Sequence, residues 1–350
     1  MPRVPSFQDD ETVLVFAPPP LPAPPSDRVW VHWLLFGLTL VTTTLAGGCH
    51  YLSFHATPAL PPEITGPELG FLQLILLFFQ GLVVIAAETV RLLLSPRFML
   101  HGLWYSVTIL SILGAHEMGH YLMALRYGVD VSRPYFLPAP LPLTGTFGAF
   151  IRIRSRIPSK VALFDIGIAG PLAGFVVAVP ALFLGLAMSR VDALPTDPRI
   201  LATYSELGEP LLFRFASWAI FGPIADGYTI NMHPIAFAAW FGLLMTALNL
   251  FPIAQLDGGH ISYAVLGPRS TNVTVVMMLA AVGLTFFSSS WIVWTIMLVV
   301  MLITIGPRHP RTLDEAEPLD RGRLILAAVA MVILVICFTP APIGPFIGAP

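Results

Sequence analysis

His116, Glu117 and His120 spell H-E-x-x-H inside a stretch, residues 99–125, that is otherwise apolar enough to cross a bilayer. On a helix, imidazoles at i and i+4 lie one turn apart on the same face, and the intervening carboxylate projects beside them. Neutral imidazoles suit zinc, with N–Zn bonds of about 2 Å, and an adjacent carboxylate can take a proton from water activated there. The spacing is that of a hydrolytic metal centre. Ionisable groups at membrane depth are costly, so three of them in one hydrocarbon-matched segment argue for chemistry.

Two histidines need at least one more protein ligand, and a catalytic zinc keeps one position open. The best candidate is Asp257, in the run Asn249-Leu250-Phe251-Pro252-Ile253-Ala254-Gln255-Leu256-Asp257-Gly258-Gly259-His260. Proline removes a backbone donor and glycine tolerates unusual dihedrals, so this apolar segment is expected to break at membrane depth. Such breaks survive where they are buried in protein or line a wet cavity. Taken alone, Leu-Asp-Gly-Gly reads equally as a turn closed by an Asx hydrogen bond.

The elements that must position these residues are membrane helices. The 350 residues are 56% hydrophobic and only 11% charged, with a mean hydropathy of +0.79. A soluble domain carries roughly 25% charged residues, so the expected fold is an all-α polytopic membrane protein. Apolar runs of about 20 residues predict spans near 29–48, 70–94, 100–126, 161–188, 233–252, 272–287, 290–306 and 323–340. That makes about eight, although 272–306 reads as one bent pair or two spans because Ser288, Ser289 and Ser290 interrupt it.

The chain divides into a proline-rich, disordered arm (1–28), two N-terminal transmembrane helices (29–99), a core with both motifs (100–265) and C-terminal helices (266–350) with a polar linker at 307–322. The arm has no basic, apolar-cored leader and does not read as a cleavable signal. A net charge of −2 gives no case for nucleic acid, and Cys49 and Cys337 alone offer neither a disulfide framework nor a cysteine zinc site.

Threading the spans puts eleven Lys and Arg residues on the side of the 126–160 loop and seven on the other. The positive-inside rule then makes that loop cytosolic, with the metal motif in the cytosolic half of its helix and the protein multi-pass in a membrane, read as the cell membrane. The break before Asp257 falls at the same level.

Together, His116-Glu117-Met118-Gly119-His120 and Asn249 through Gly258, matching N-x-x-P-x-x-x-L-D-G, resemble the site-2 protease family of intramembrane zinc metalloproteases. The resemblance extends to Ala169-Gly170-Pro171-Leu172-Ala173-Gly174 and His233-Pro234, and covers roughly residues 100–265. It implies one Zn2+ held by His116, His120 and Asp257, with Glu117 as general base. Asn249 would help hold the substrate backbone or the tetrahedral intermediate. Many members insert a PDZ domain between core helices; the stretch 189–232 is too short for one, so the chain looks like a PDZ-less member.

The resulting expectation is an endopeptidase that cuts transmembrane segments of other membrane proteins within the lipid bilayer, its substrates previously trimmed on the extracytosolic side. The alternative is a zinc transporter or metal-binding membrane protein using the same four side chains as a transit site.

A substrate helix must unwind before cleavage, and something must hold the extended strand. Thr144-Gly145-Thr146-Phe147-Gly148 reads as a turn, followed by Phe150-Ile151-Arg152-Ile153-Arg154 alternating with strand period. A hairpin dipping into the membrane is expected, whose free edge at Phe150, Ile151, Arg152 and Ile153 adds the substrate as another strand. A basic surface hairpin at anionic headgroups is the compatible second reading.

Elsewhere the blander readings are preferred. Glu88 pairs with Arg91, Asp165 with the neighbouring basic loop, and Gly167, Gly170 and Gly174 mark close helix packing. His260 packs beside the Asp257 turn, and His233 lies at the far end of its helix. The proline cluster 134–142 fixes an irregular loop or turn.

Overall fold

The computed structural model describes residues 28–56, 71–141, 143–202 and 204–345. The expected arm at 1–28, apart from Arg28, lies outside the described residues, as does Pro142 of the proline cluster. In chain order, helices α1 (Val29–His55), α2 (Phe71–Leu93) and α3 (Pro96–Arg126) lead into an antiparallel hairpin of β1 (Tyr135–Pro138) and β2 (Thr146–Phe150), then α4 (Lys160–Ala187). A small module follows, with β3 (Arg190–Ala193), α5 (Pro198–Leu201), β4 (Ser205–Leu207), α6 (Leu211–Phe221) and β5 (Tyr228–Asn231). Helices α7 (Pro234–Leu250), α8 (Asp257–Leu266), α9 (Ser270–Leu284), α10 (Ser290–Ile305) and α11 (Arg321–Cys337) complete the bundle, and β6 (Ile343–Pro345) returns to pair with β4.

All eight predicted spans contain a helix, so the chain is a mostly helical membrane protein with small sheets. Among the described residues, four helices are long and apolar enough to cross a membrane: Val29–His55, Pro96–Arg126, Lys160–Ala187 and the continuous stretch Asp257–Leu284. Helices α7, α10 and α11 have 17, 16 and 17 residues. At 1.5 Å per residue they reach about 24–26 Å, at the lower limit for a hydrocarbon core of about 30 Å. Beyond the expected hairpin, the structure adds the sheets β3–β5 and β4–β6, the second closed by the C-terminal β6, whose strands of three or four residues leave almost no periodic signal. The 272–306 stretch resolves into two helices, α9 and α10.

Helix α3 is the axis of the fold. Ser95 caps its start by accepting from the Phe98 N–H at 3.4 Å, with Pro96 at the first helical position. It packs against α1, α4 and α7, burying Tyr105 and Ile109 with Phe164, Leu182, Trp240 and Leu243. Small residues set the separations. A Cβ on Gly102 would stand 2.1 Å from the Thr44 carbonyl of α1, and one on Gly119 would stand 2.4 Å from the Ala169 carbonyl of α4. Without hydrophobic drive between helices in lipid, such close backbone packing and the buried Thr43–Ser106 hydroxyl contact at 2.7 Å hold α1 on α3.

The hairpin runs along α1: Thr42 Oγ1 donates to the Gly145 carbonyl at 2.6 Å, and His32 Nδ1 lies 3.1 Å from the Pro134 carbonyl. Its turn reaches the buried Tyr105 hydroxyl, which donates to Thr144, eleven residues along α3 from His116. The hairpin therefore dips deep beside α3. Its strands differ in detail from expectation: part of the proline cluster is strand β1, and the predicted 144–148 turn is mostly strand β2. Pro138 is tolerated because it ends its strand where the register shifts.

Asp165 is paired with Arg323 of α11 and with Tyr127 at the start of the 126–160 loop, not with a basic residue of that loop. Its carboxylate takes a fork of two hydrogen bonds from Arg323 of α11, at 2.7 and 2.8 Å, and a third from the Tyr127 hydroxyl. A partner 158 positions away leaves no local signature. The expected Glu88–Arg91 pair is present at 3.1 Å and exposed.

Two stability outcomes follow. Gly102→Val forces α1 off α3 and should cost roughly 1–3 kcal/mol, read as a lowered thermal midpoint of the purified protein. Arg323→Ala and Asp165→Ala should each cost about 1.5–3 kcal/mol as charged hydrogen bonds are lost. The double variant should be no worse than the poorer single one; additive losses would show that the two side chains are not coupled.

Candidate metal centre

Three donor atoms converge at the end of α3. His116 Nε2 and His120 Nε2 are 3.1 Å apart, and Asp257 Oδ2 lies 3.2 Å from the first and 3.3 Å from the second. All three side chains are largely shielded from solvent. A tetrahedral zinc with bonds of about 2.0–2.1 Å requires donor–donor edges of about 3.3–3.4 Å. Two imidazole nitrogens and one carboxylate oxygen on a triangle of that size fit a zinc ion, with a fourth vertex left for another group.

Each donor is placed by a local cause. The helical period of α3 brings the two imidazoles together. His120 is further oriented by its Nδ1, which is 2.7 Å from the Ile166 carbonyl of α4, so that Nε2 is the nitrogen turned toward the group. This requires α4 to come very close. A Cβ on Gly170 would lie 2.1 Å from His120 Nε2, and one on Gly174 would lie 3.2 Å from the His116 Cβ. The small-residue face of α4 is thus cut to fit the histidines.

Asp257 is the first residue of α8, after the break that the sequence predicts. α7 stops at Leu250, and residues 251–256 form a loop. Its odd conformation does not fall on the paired glycines, as expected. Ala254 takes the positive φ, +43°, with its N–H held by Thr274 Oγ1 at 3.0 Å. Gly258 and Gly259 serve instead for close approach: added Cβ atoms would stand 2.0 Å from the Leu250 carbonyl and 2.2 Å from the Ala254 carbonyl. They let the first turn of α8 nest against the loop, which fixes Asp257 under the histidines.

The other sequence-predicted residues gather around this triangle. Asn249, at the end of α7, puts Nδ2 3.2 Å from His116 Nε2. Glu117 is buried and faces the Ile151 backbone N–H. Both line a cavity of about 240 Å³ with the three donors, Phe150, Ile151 and Ile153. Phe150 also stacks on Tyr135, with centroids 5.3 Å apart. Arg152 is not brought to the cavity: its N–H and carbonyl bond Ser132, at 2.8 and 2.9 Å, and its side chain is exposed.

Beyond β2 the chain continues the ladder. Arg154 N–H donates to the Asp130 carbonyl at 2.9 Å, and Ile153 bridges Val131 in antiparallel sense. In this arrangement the backbone groups of residues 152 and 154 face the 130–132 segment, while those of Ile151 and Ile153 face outward. The outward edge is the one that lines the cavity.

Some residues at the site were not foreseen. Gln255 lines the cavity, and His260 Nδ1 is 2.6 Å from His309 Nε2 in the 307–320 linker. His309 sat in a segment whose charge reads as solvated linker; only its being a histidine among charged residues set it apart. His233 lies at the other end of α7, where its ring accepts from the Ile235 N–H at 3.3 Å.

Comparison with known proteins agrees with this geometry. The chain is 25% identical over 283 residues to the protein named "Probable zinc metalloprotease EGY2, chloroplastic" of Arabidopsis thaliana, matching 80% of this chain and 50% of that one. It is 32% identical over 241 residues to "Probable zinc metalloprotease EGY1, chloroplastic" of Oryza sativa subsp. japonica, 66% of this chain and 36% of that one. The chain thus spans about half the length of the first of these relatives, and less of the second. The sequence profile described as Peptidase family M50 matches residues 104–289, which is just over half of the chain and includes H-E-x-x-H, the hairpin and Asp257. By that coverage, the chain belongs to peptidase family M50.

Proposed function

We propose that this protein is a zinc endopeptidase that hydrolyses peptide bonds within or next to the transmembrane segments of other membrane proteins. His116, His120 and Asp257 hold the metal. The observation that carries the reading is the triangle of 3.1, 3.2 and 3.3 Å between their donor atoms, with Glu117 and an outward strand edge in the same cavity.

Zinc bound there supplies a Lewis acid that polarises a carbonyl and makes water a nucleophile at neutral pH. Glu117 accepts a proton from the attacking water and returns it to the departing amide nitrogen. Asn249 Nδ2 donates to the carbonyl oxygen as it gains charge, which is stabilisation of the oxyanion type. His120 keeps its Nδ1 on Ile166, so its ring stays oriented throughout. With the Ile151 N–H taken by Glu117, the Ile151 carbonyl and the outward backbone groups of Ile153 are offered to an unwound substrate, which lies beside them as an added strand. The lysine and arginine bias supports a cytosolic placement of this end of the bundle.

A transport role would call for further ligand groups along a path through the membrane. Among the described residues, His116, His120 and Asp257 form the one group of three or more side chains able to hold a metal. That favours hydrolysis over transit.

Three outcomes are expected of the purified protein in bilayers with a single-span substrate. Glu117→Gln keeps its zinc, measured by plasma mass spectrometry, and loses about 10²–10⁴-fold in cleavage rate; undiminished cleavage removes Glu117 as base. Asp257→Ala lowers zinc stoichiometry and abolishes cleavage together. Ile153→Pro removes an N–H that the hairpin itself does not use. It raises KM with zinc content unchanged, whereas a KM equal to that of Ile153→Ala rules out strand addition at this edge.

A further inference from the structure

The cavity at the metal group does not end at His260. A second one, of about 460 Å³, opens beside it, and the two share Ile153, Gln255 and His260 in their walls. Its rim carries Arg156, from the chain that continues past Ile153, and Arg311, from the α10–α11 linker. Both arginines are exposed, and among the described residues neither makes a side-chain hydrogen bond or ion pair. Their neighbours differ. Arg154 pairs with Asp130 at 3.7 Å, and Arg323 is taken up by Asp165.

The backbones that carry the two arginines are tied together. Leu313 N–H donates to the Ile157 carbonyl at 3.1 Å and Asp314 N–H to the Pro158 carbonyl at 2.9 Å. Two of the linker's acids, Glu315 and Asp314, are engaged locally. Glu315 Oε1 accepts from the Thr312 N–H, the Thr312 hydroxyl and the Tyr263 hydroxyl, each at 2.9 Å, and Asp314 Oδ1 accepts from the Ala316 N–H at 2.8 Å. Burial pushes the Glu315 carboxyl up, but these hydrogen bonds hold it below the ordinary carboxylate range. It therefore stays anionic and offsets part of the positive field, and the Lys160 ammonium acts on the same carboxylate.

We propose that this groove is a substrate subsite for an acidic side chain just outside the bilayer, gripped by Arg156 and Arg311. The inference rests on the protease reading of the adjoining cavity. A strand laid along Ile151 and Ile153 and advancing about 3.3 Å per residue reaches the level of Arg156 about three residues past Ile153, about 10 Å on. Membrane proteins commonly carry lysine and arginine on their cytosolic flank. An arginine-rimmed exit repels that common flank and admits an acidic one, so it selects by exclusion as well as by attraction.

The test uses one single-span peptide with three flanks, Asp/Glu, Asn/Gln and Lys, bound to the Glu117→Gln protein in neutral phosphatidylcholine nanodiscs and read by fluorescence anisotropy. The acidic flank should bind about three- to tenfold tighter than the amide flank. Arg156→Gln with Arg311→Gln should erase that preference, and Arg156→Glu with Arg311→Glu should turn it toward the lysine flank. Equal affinities, or a preference that survives both double variants, overturn the subsite. Loss of the acidic preference on adding phosphatidylglycerol assigns the arginines to lipid headgroups and equally overturns it. Wild-type protein is assayed for cleavage in parallel: if it cuts none of the three peptides, the protease reading fails, while the binding order still decides the subsite.

Discussion

The structure turns on bringing three donor atoms from two distant stretches of chain to within about 3.3 Å of one another in largely apolar surroundings. The helical period meets most of that demand, because His116 and His120 need only a continuous α3. Asp257 is harder to place. A carboxylate in the middle of an unbroken lipid-facing helix would have neither a partner nor water. Starting α8 at Asp257 places the negative charge at the positive end of a helix and beside the imidazoles. The break this requires is made tolerable by Thr274, which takes up the Ala254 N–H, and by glycines that let the turn fold tightly back.

A second asymmetry lies in the hairpin. Unpaired strand edges are costly in lipid, and one edge of this hairpin is covered by α1 through Thr42 and His32. The other edge, at Ile151 and Ile153, is left open beside the cavity. The contact of Glu117 with the Ile151 N–H joins this edge to α3. A shift of the hairpin would therefore move the carboxylate relative to the metal group. On the proposed mechanism, peptide binding and the position of the base are coupled through one backbone amide.

Much of this was legible in the sequence, for reasons that can be traced. H-E-x-x-H, the break at Pro252 and the dipping hairpin follow from local spacing or backbone chemistry, while the convergence of Asp257 with the histidines is implied by the level of that break in the threading and by the family resemblance. What escaped depends on distance in the chain or on a missing atom. The Gly170 contact with His120 is a matter of what a Cβ would strike, and Arg323 reaches Asp165 from the last helix. Helix ends are less legible than helices, because hydropathy windows do not see where a helix is cut short, as α7 is at Leu250. The positive φ fell on Ala254 and not on glycine, since the loop needed the glycines for space.

The C-terminal helices look in sequence like an addition to a core ending near residue 265, and the contacts argue otherwise. Arg323 of α11 grips Asp165 one residue before Ile166, whose carbonyl orients His120. The α10–α11 linker hydrogen-bonds residues 157 and 158, and its His309 holds His260 in the cavity wall. Each of these ties acts on an element that carries or orients a site residue, and none is supplied by the 100–265 segment itself. Removal of α10, α11 and their linker would leave the three donors in the chain while freeing the start of α4 and the His260 wall that keep them in register. The candidate metal centre is therefore a property of the whole bundle, with its last two helices and their linker serving as the buttress.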